Sequence, residues 1–211
     1  MGAKGLMHLV LLLPFTTAFD APGLSIRYFA YGSNLATSVR EGRRGLRPLS
    51  TAPGFVRDHR LAFDLPGMGP AEPAFASIRP AAGEECHGGL FELSLMDWSR
   101  LCASEGVPFA YRVAEVDVQR YDGASAPAFT LIGNVRTPFG DLQPSSRYLE
   151  LIRDGARELG LTDAWQDHLA SLQAAPFGTQ PRAPSSSPPQ QQQQEEEQRR
   201  AFERRRGATF T

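Results

Sequence analysis

Cysteine is scarce in this sequence, and its scarcity excludes a disulfide-rich scaffold. Cys86 and Cys102 are the two cysteines among 211 residues, whereas small disulfide-stabilised domains carry several bridges. Two buried free thiols are therefore the favoured interpretation. A single disulfide stays open if the chain is exported.

The sequence also lacks an excess of charge of either sign. Its formal net charge is −1, which gives no global electrostatic reason to expect nucleic acid or an anionic membrane as a partner. Positive charge comes almost entirely from arginine, with Lys4 as the single lysine. One local cluster stands out, and we interpret it as a solvated loop or helix face: Arg40, Arg43, Arg44 and Arg47.

Familiar catalytic and metal-binding signatures are missing as well. There is no glycine-rich phosphate loop ending in Lys-Ser/Thr, no G-x-G-x-x-G after a strand and no G-x-S-x-G elbow. The histidines are too dispersed for a local metal motif: His8, His59, His87 and His168. Cys86 and His87 are adjacent, but adjacent strand residues point to opposite faces. We predict no metal site, which leaves carboxylates and backbone groups to carry chemistry.

Both ends of the chain differ in composition from its middle. Residues 1–25 combine a positive Lys4, an apolar run over 6–15 and small residues at Thr16–Ala18, the layout of a secretory signal peptide. The run is too short to span a membrane, so we expect no membrane association of the mature chain. The context Thr17–Pro22 also resembles the cleavage site of plastid-directed preproteins in algae with complex plastids. We predict secretion or plastid targeting, with a cytoplasmic location as the alternative.

The C-terminal segment, residues 174–211, is rich in Pro, Ser and Gln and ends in charged runs. It offers almost nothing to bury, so we predict a disordered tail.

Between these segments, residues 26–173 form one predicted domain, with 41% hydrophobic residues in the whole chain to supply a core. Strand-like runs occur at 26–31, 55–64, 74–79, 86–93, 109–119 and 128–133. Three helices are predicted: one capped by Ser94, one that follows Pro144-Ser145 and ends at Gly160, and one capped by Thr162. Many strands without regular alternation with helices favour an α+β domain on a curved sheet or small barrel.

Glu105 is a carboxylate at a position where local helix stability disfavours negative charge. The helix capped by Ser94 ends at Glu105, with Gly106 as its terminator, so a carboxylate faces the negative end of the helix dipole. Such repulsion raises the pKa of a carboxylate, as a general base working near neutrality requires. A residue that opposes local stability is a candidate functional residue. From the residues alone, an exposed and incidental glutamate stays the alternative.

The turn after the first strand is a second candidate. The strand over 26–31 stops at Gly32-Ser33-Asn34, before a polar segment from Leu35 to Glu41 that we expect to be helical. Unpaired N–H groups at a helix N-terminus suit a carboxylate or an oxyanion. An ordinary strand–turn–helix with Ser33 or Asn34 as the cap is the alternative.

Together these segments resemble the γ-glutamylcyclotransferase family. The matching motifs follow the family's order over roughly 26–172: Tyr28–Leu35, Cys86–Leu93, Glu105–Val107, Tyr111 before 113–118, and Pro144–Leu149. The resemblance implies a small mixed β-barrel with flanking helices and a pocket at one end. It also implies conversion of γ-glutamyl peptides to 5-oxoproline and a free amino acid, without metal or organic cofactor.

The resemblance assigns roles to individual residues. Glu105 matches the residue that takes a proton from the substrate's α-ammonium and returns it to the leaving amine. The turn matches the loop that grips the γ-glutamyl group through backbone N–H groups: Tyr31, Gly32, Ser33, Asn34 and Leu35. Tyr111 and Tyr148 match tyrosines that line the pocket. Some family members carry a further tyrosine where this chain has Phe129-Thr130-Leu131, so one pocket contact differs.

The expected partner is a small γ-glutamyl substrate, and a homodimer stays open. Relatives that act on glutathione usually carry a Y-G-S-L-type turn, and those that act on γ-glutamylamines a Y-G-T-L-type turn. Ser33-Asn34 therefore favours γ-glutamyl amino acids. A non-catalytic γ-glutamyl-binding module with the same fold is the alternative from another class.

Overall fold

The computed structural model describes residues 19–20 and 24–176. The predicted tail, apart from its first three residues, and nearly all of the predicted presequence lie outside the described residues. Within the presequence range, strand β1 (Phe19–Asp20) pairs antiparallel with Ser25 and Ile26. None of the helices in the described residues has the length and hydrophobicity that a membrane span requires.

Five strands close into a barrel. They are β2 (Ser25–Ala30), β3 (Ser50–Pro66), β4 (Ala74–Ser94), β5 (Tyr111–Arg120) and β6 (Ser125–Gly133). The order is β2-β4-β3-β5-β6, and β6 returns to β2 through a parallel pairing of Tyr28 with Phe129, whereas the other pairs are antiparallel. The expected α+β fold, a small mixed barrel with flanking helices, is confirmed.

Strand β4 corrects the sequence-based boundaries, because the runs 74–79 and 86–93 belong to one continuous strand. Between them the register against β3 shifts, from Arg57 opposite Glu85 to His59 opposite Pro80. Asp58 has a positive φ of 56° there, and its carboxylate accepts a hydrogen bond from Gly83 N at 2.8 Å. Such a bulge interrupts the apolar alternation without ending the strand.

The three helices lie as the sequence predicts, and their caps are local. Helix α1 spans Leu95–Ser104, α2 spans Ser146–Glu158 and α3 spans Asp163–Ser171. The side chains of Ser94, Ser145 and Thr162 each accept a hydrogen bond from the backbone N–H three residues on. Gly106 and Gly160 follow α1 and α2 with φ of 69° and 63°, the left-handed conformation that closes a helix.

The segment after β2 differs from the expected helix. It forms a 3-10 turn at Ser33–Leu35 and then a π-helical segment at Ser38–Arg43. The buried guanidinium of Arg40 holds this shape, because its Nη1 donates to Leu35 O at 2.8 Å and to Asn34 O at 3.3 Å. The prediction of a solvated arginine cluster is therefore wrong for Arg40.

Helix α2 packs directly on the 3-10 turn at a glycine. A Cβ added to Gly155 would lie 2.4 Å from both Ala36 N and Leu35 C, far inside van der Waals contact. The absence of a side chain lets the helix and the turn backbone touch. This contact fixes the turn against the barrel.

Candidate active site

A cavity of about 490 Å³ opens at one end of the barrel. It lies where β2, β3 and β6 end and where β4 and β5 begin, so its lining comes from residues distant in sequence. Its lining includes Tyr28, Tyr31, Gly32, Ser33, Asn34, Arg43, Arg44, Glu72, Ala76, Glu105, Tyr111, Arg147 and Tyr148.

The structure brings together seven of the eight residues singled out from the sequence. The carboxylate, the turn residues and both later tyrosines line this cavity: Glu105, Tyr31, Gly32, Ser33, Asn34, Tyr111 and Tyr148. Leu35 is different, because its side chain is fully buried in the core and is not part of the lining. The substrate-binding role of these residues stays a prediction.

Glu105 is held at the cavity wall by two donors on one of its oxygens. It is the C-terminal cap of α1, and its side chain is 15% exposed, which does not fit an exposed, incidental residue. Asn34 Nδ2 donates to Glu105 Oε1 at 2.7 Å, and Arg44 Nη2 lies 2.7 Å from the same oxygen. These donors offset the unfavourable dipole of α1.

The second oxygen of Glu105, Oε2, differs from Oε1 in its hydrogen bonding. Within the part of the chain that the structure describes, no hydrogen-bond partner is found for Glu105 Oε2. The other carboxylate of the cavity, that of Glu72, has both oxygens occupied: Oε1 by Arg147 Nε at 2.9 Å and Oε2 by Ser145 Oγ at 2.8 Å. Glu105 therefore retains a carboxylate oxygen able to accept a proton.

The tyrosines form a neutral wall beside this carboxylate. Tyr111 OH donates to Ala76 O at 3.0 Å, and Tyr148 OH accepts from Ala76 N at 3.2 Å. Burial, with a smaller contribution from Glu105, raises the pKa of Tyr148 to about 12 and also raises the pKa of Tyr111. Both phenols stay protonated at neutral pH and do not act as bases.

Two residues that contact the Asn34–Glu105 pair were not among the sequence-predicted ones. Tyr28 is buried and accepts a hydrogen bond from Asn34 Nδ2 at 3.1 Å, although it stands in the motif that carries the resemblance. Arg44 belongs to the cluster interpreted as solvated, yet its side chain is 16% exposed and pairs with Glu105. The sequence indicates a cluster of arginines after the turn. It does not indicate which of these side chains faces the cavity.

Metal ligands and disulfides do not contribute to the described site. Cys86 is buried, Cys102 is half-buried and neither is bridged. In residues 19–20 and 24–176, no group of three or more His, Cys, Asp or Glu side chains could hold a metal ion.

Comparison with known proteins points to one family. The model of the AIG2-like family matches residues 85–169. The chain is 35% identical over 182 residues to the γ-glutamyl cyclotransferase gliK of Aspergillus fumigatus, covering 74% of this chain and 66% of that protein. It is 30% identical over 155 residues to the γ-glutamylcyclotransferase of Bos taurus, covering 72% of this chain and 80% of that protein.

The chain covers only part of the length of several relatives, and its fold superposes on solved structures. The chain spans 66% and 65% of the gliK proteins of Aspergillus fumigatus and Claviceps purpurea, and 55% of aclK of Aspergillus oryzae. Among solved structures, a γ-glutamyl cyclotransferase superposes with a TM-score of 0.64 at 26% identity, over 74% of this chain and 92% of that one. An uncharacterised protein of Homo sapiens, loc79017, superposes with the same TM-score and identity.

Proposed function

The chain belongs to the γ-glutamylcyclotransferase family, and we propose that it converts γ-glutamyl amino acids to 5-oxoproline and a free amino acid. The observation that carries the proposal is the cavity carboxylate of Glu105. One of its oxygens is fixed by Asn34 and Arg44, and Oε2 is without a partner in the described part of the chain.

The proposed reaction is an intramolecular acyl transfer. The α-nitrogen of the substrate attacks its own γ-carbonyl carbon, a C–N bond closes the five-membered lactam, and the amide C–N bond to the amino acid breaks. The α-nitrogen gives up two protons on its way from ammonium to lactam N–H. The leaving nitrogen gains two on its way from amide to ammonium, so no net proton is consumed.

In this proposal Glu105 moves those protons. Its free oxygen takes the two protons of the α-nitrogen one after the other, the first from the α-ammonium, and passes each to the leaving nitrogen, a general acid–base role. The other ionisable groups are less suited, because the phenols of the wall remain protonated and both oxygens of Glu72 are already hydrogen-bonded. A single carboxylate therefore serves both proton transfers.

The turn Tyr31–Leu35 has the binding role in this proposal. Its backbone follows β2 directly and is fixed by contacts with Arg40 and Gly155. N–H groups of such a turn can hold the γ-glutamyl group folded back on itself. This brings the α-nitrogen close to the γ-carbonyl and supplies donors for the developing oxyanion.

The test is 5-oxoproline formation from γ-glutamyl-alanine by wild type and Glu105→Gln. Loss of the acid–base group lowers kcat by about 10²- to 10⁴-fold, while circular dichroism shows a folded protein. The matched comparison is Glu72→Gln, which removes the other cavity carboxylate and costs about tenfold or less, since that carboxylate moves no proton. Undiminished turnover by Glu105→Gln would refute the role of Glu105.

The same assay separates the proposal from its alternatives. A panel of γ-glutamyl-alanine, a γ-glutamylamine and glutathione, compared by kcat/KM, identifies the preferred substrate class. A protein that forms no 5-oxoproline, but gains thermal stability with a γ-glutamyl ligand, is a binding module rather than an enzyme.

For the location of the protein, we propose that residues 1–25 direct the chain into the secretory pathway or a complex plastid, on the composition of this segment alone. A fluorescent reporter fused to residues 1–25 tests this. A cytosolic reporter contradicts both destinations.

A further inference from the structure

Five charged side chains line the cavity, and four of them form two pairs. Arg44 lies 2.7 Å from Glu105 Oε1, and Arg147 Nε donates to Glu72 at 2.9 Å. Arg43 is the fifth, and no acidic partner for it occurs in the part of the chain that the structure describes. The lining therefore carries one uncompensated positive charge.

Arg43 lines the cavity together with Arg44, the arginine that pairs with Glu105. It is the last residue of the segment Ser38–Arg43, and the next residue, Arg44, contacts Glu105 directly. The backbone here is fixed, because Arg44 N donates to Val39 O at 3.0 Å. Within the segment, the Arg40 guanidinium also stacks on a core aromatic ring at 4.3 Å. The Arg43 side chain is exposed and remains available to a ligand.

We infer that Arg43 forms a subsite for the α-carboxylate of the amino acid that the reaction releases, an inference that rests on the proposed function. In a γ-glutamyl amino acid, this carboxylate is attached to the carbon that bears the leaving nitrogen. That nitrogen must come within reach of Glu105 to receive its proton. A guanidinium next in sequence to the partner of Glu105 is therefore well placed for the carboxylate.

Charge and geometry agree with this assignment. A γ-glutamyl amino acid carries two carboxylates and one ammonium, a net charge of −1, which complements the single uncompensated arginine. A γ-glutamylamine has a net charge of zero, because it keeps the α-carboxylate and α-ammonium of its glutamyl group but has no carboxylate on the leaving group. The planar guanidinium binds a carboxylate through two parallel hydrogen bonds. Arg43 is thereby a specificity-determining residue that favours γ-glutamyl amino acids over γ-glutamylamines.

The kinetic test uses two substrates that differ only at this carboxylate, γ-glutamyl-alanine and γ-glutamyl-alaninamide. The measured quantity is the ratio of their kcat/KM values. Arg43→Gln is expected to lower this ratio by about 10- to 100-fold, the range of a lost hydrogen bond to a charged group. Arg43→Lys keeps the charge without the planar fork and gives an intermediate ratio. Arg47→Gln removes the same charge from the same arginine cluster, outside this cavity, and leaves the ratio unchanged.

A binding test separates this subsite from the proposed reaction. Glutaryl-alanine and glutaryl-alaninamide lack the α-amino group and cannot cyclise, so calorimetry on wild type and Arg43→Gln measures recognition alone. A wild type that prefers the carboxylate through Arg43 but forms no 5-oxoproline supports the subsite and refutes the proposed reaction. A preference that persists in Arg43→Gln, or one lost equally in Arg47→Gln, overturns the subsite.

Discussion

Replacing Asn34 by Asp is expected to destabilise the protein in a strongly pH-dependent way. Asn34 Nδ2 lies 2.7 Å from Glu105 Oε1, so the substitution puts a second carboxylate oxygen where a donor now stands. At this distance and an effective dielectric constant of about 20, two unit charges repel by about 6 kcal/mol. The change converts an attractive contact into a repulsive one without altering the size of the side chain.

Protonation limits the cost of this repulsion. The folded variant can bind one proton between the two carboxylates, and at pH 7 this costs about 4 kcal/mol, three pH units above an ordinary carboxyl pKa of about 4. Arg44 is shared with the pair and reduces the cost. The buried Asn34 Oδ1 has no partner in the described part of the chain, so the new charge gains little there. We expect a loss of about 3 kcal/mol in the free energy of unfolding at pH 7.

The direction of the pH dependence follows from proton linkage. The folded variant holds a proton that the unfolded chain releases above pH 4, so the pKa of the carboxyl pair is raised in the folded state. Its stability is therefore highest at low pH and falls as the pH rises towards 7. At pH 5 the loss from this cause is about 1 kcal/mol. Urea denaturation at pH 5 and pH 7, compared with wild type at each pH, measures both values.

Two further variants test whether the loss of stability comes from repulsion between the carboxylates at positions 34 and 105. Asn34→Asp combined with Glu105→Gln restores an amide beside a carboxylate, and it should recover most of the stability lost at pH 7. Asn34→Leu removes the hydrogen bonds without adding charge, so its loss should not depend on pH over this range. If Asn34→Asp is equally destabilising at both pH values, or with Gln at 105, the amide and carboxylate are not in contact.

Three other perturbations test the packing and the ionisable groups. Gly155→Ala should lower the free energy of unfolding by about 2 kcal/mol, because the added Cβ would meet the turn backbone. Urea denaturation measures this loss, with Gly42→Ala as the control, since there is open space around Gly42. An equal loss in both variants would contradict the contact between Gly155 and the turn. Burial, and secondarily Glu105, raises the pKa of Cys102 to about 11. At pH 8 iodoacetamide should therefore alkylate Cys102 on the order of 100-fold more slowly than free cysteine. An alkylation rate similar to that of free cysteine would contradict the burial of this thiol. Burial lowers the pKa of His87, so the folded state binds its proton less readily than the unfolded chain. The free energy of unfolding should therefore fall as the pH drops through about 6.5, and it should fall less steeply in His87→Phe. Parallel pH profiles of wild type and His87→Phe would show that His87 does not cause this pH dependence.

Much of the fold was predictable because its signals are local. A cap such as Ser94 acts three residues along its own helix, and a terminator such as Gly160 is required by the backbone conformation at that position. The segment after β2 was not predictable in this way. Its shape depends on hydrogen bonds from the Arg40 guanidinium and on a close contact with Gly155, and both residues look ordinary in sequence.

Two features of the site were predictable from the residues alone: a carboxylate at the end of a helix and a Gly-Ser-Asn turn after a strand. Both follow from residue type and local backbone preference, whereas Tyr111 and Tyr148 were singled out through the family resemblance. Two further features depend on how the chain folds in space: Asn34 and Arg44 both contact one oxygen of Glu105, and Arg43 has no acidic partner in the described part of the chain. Barrel closure brings these groups together across 71 residues of sequence. The burial of these charged groups depends on every helix and strand that lines the cavity, so a local sequence pattern cannot predict it.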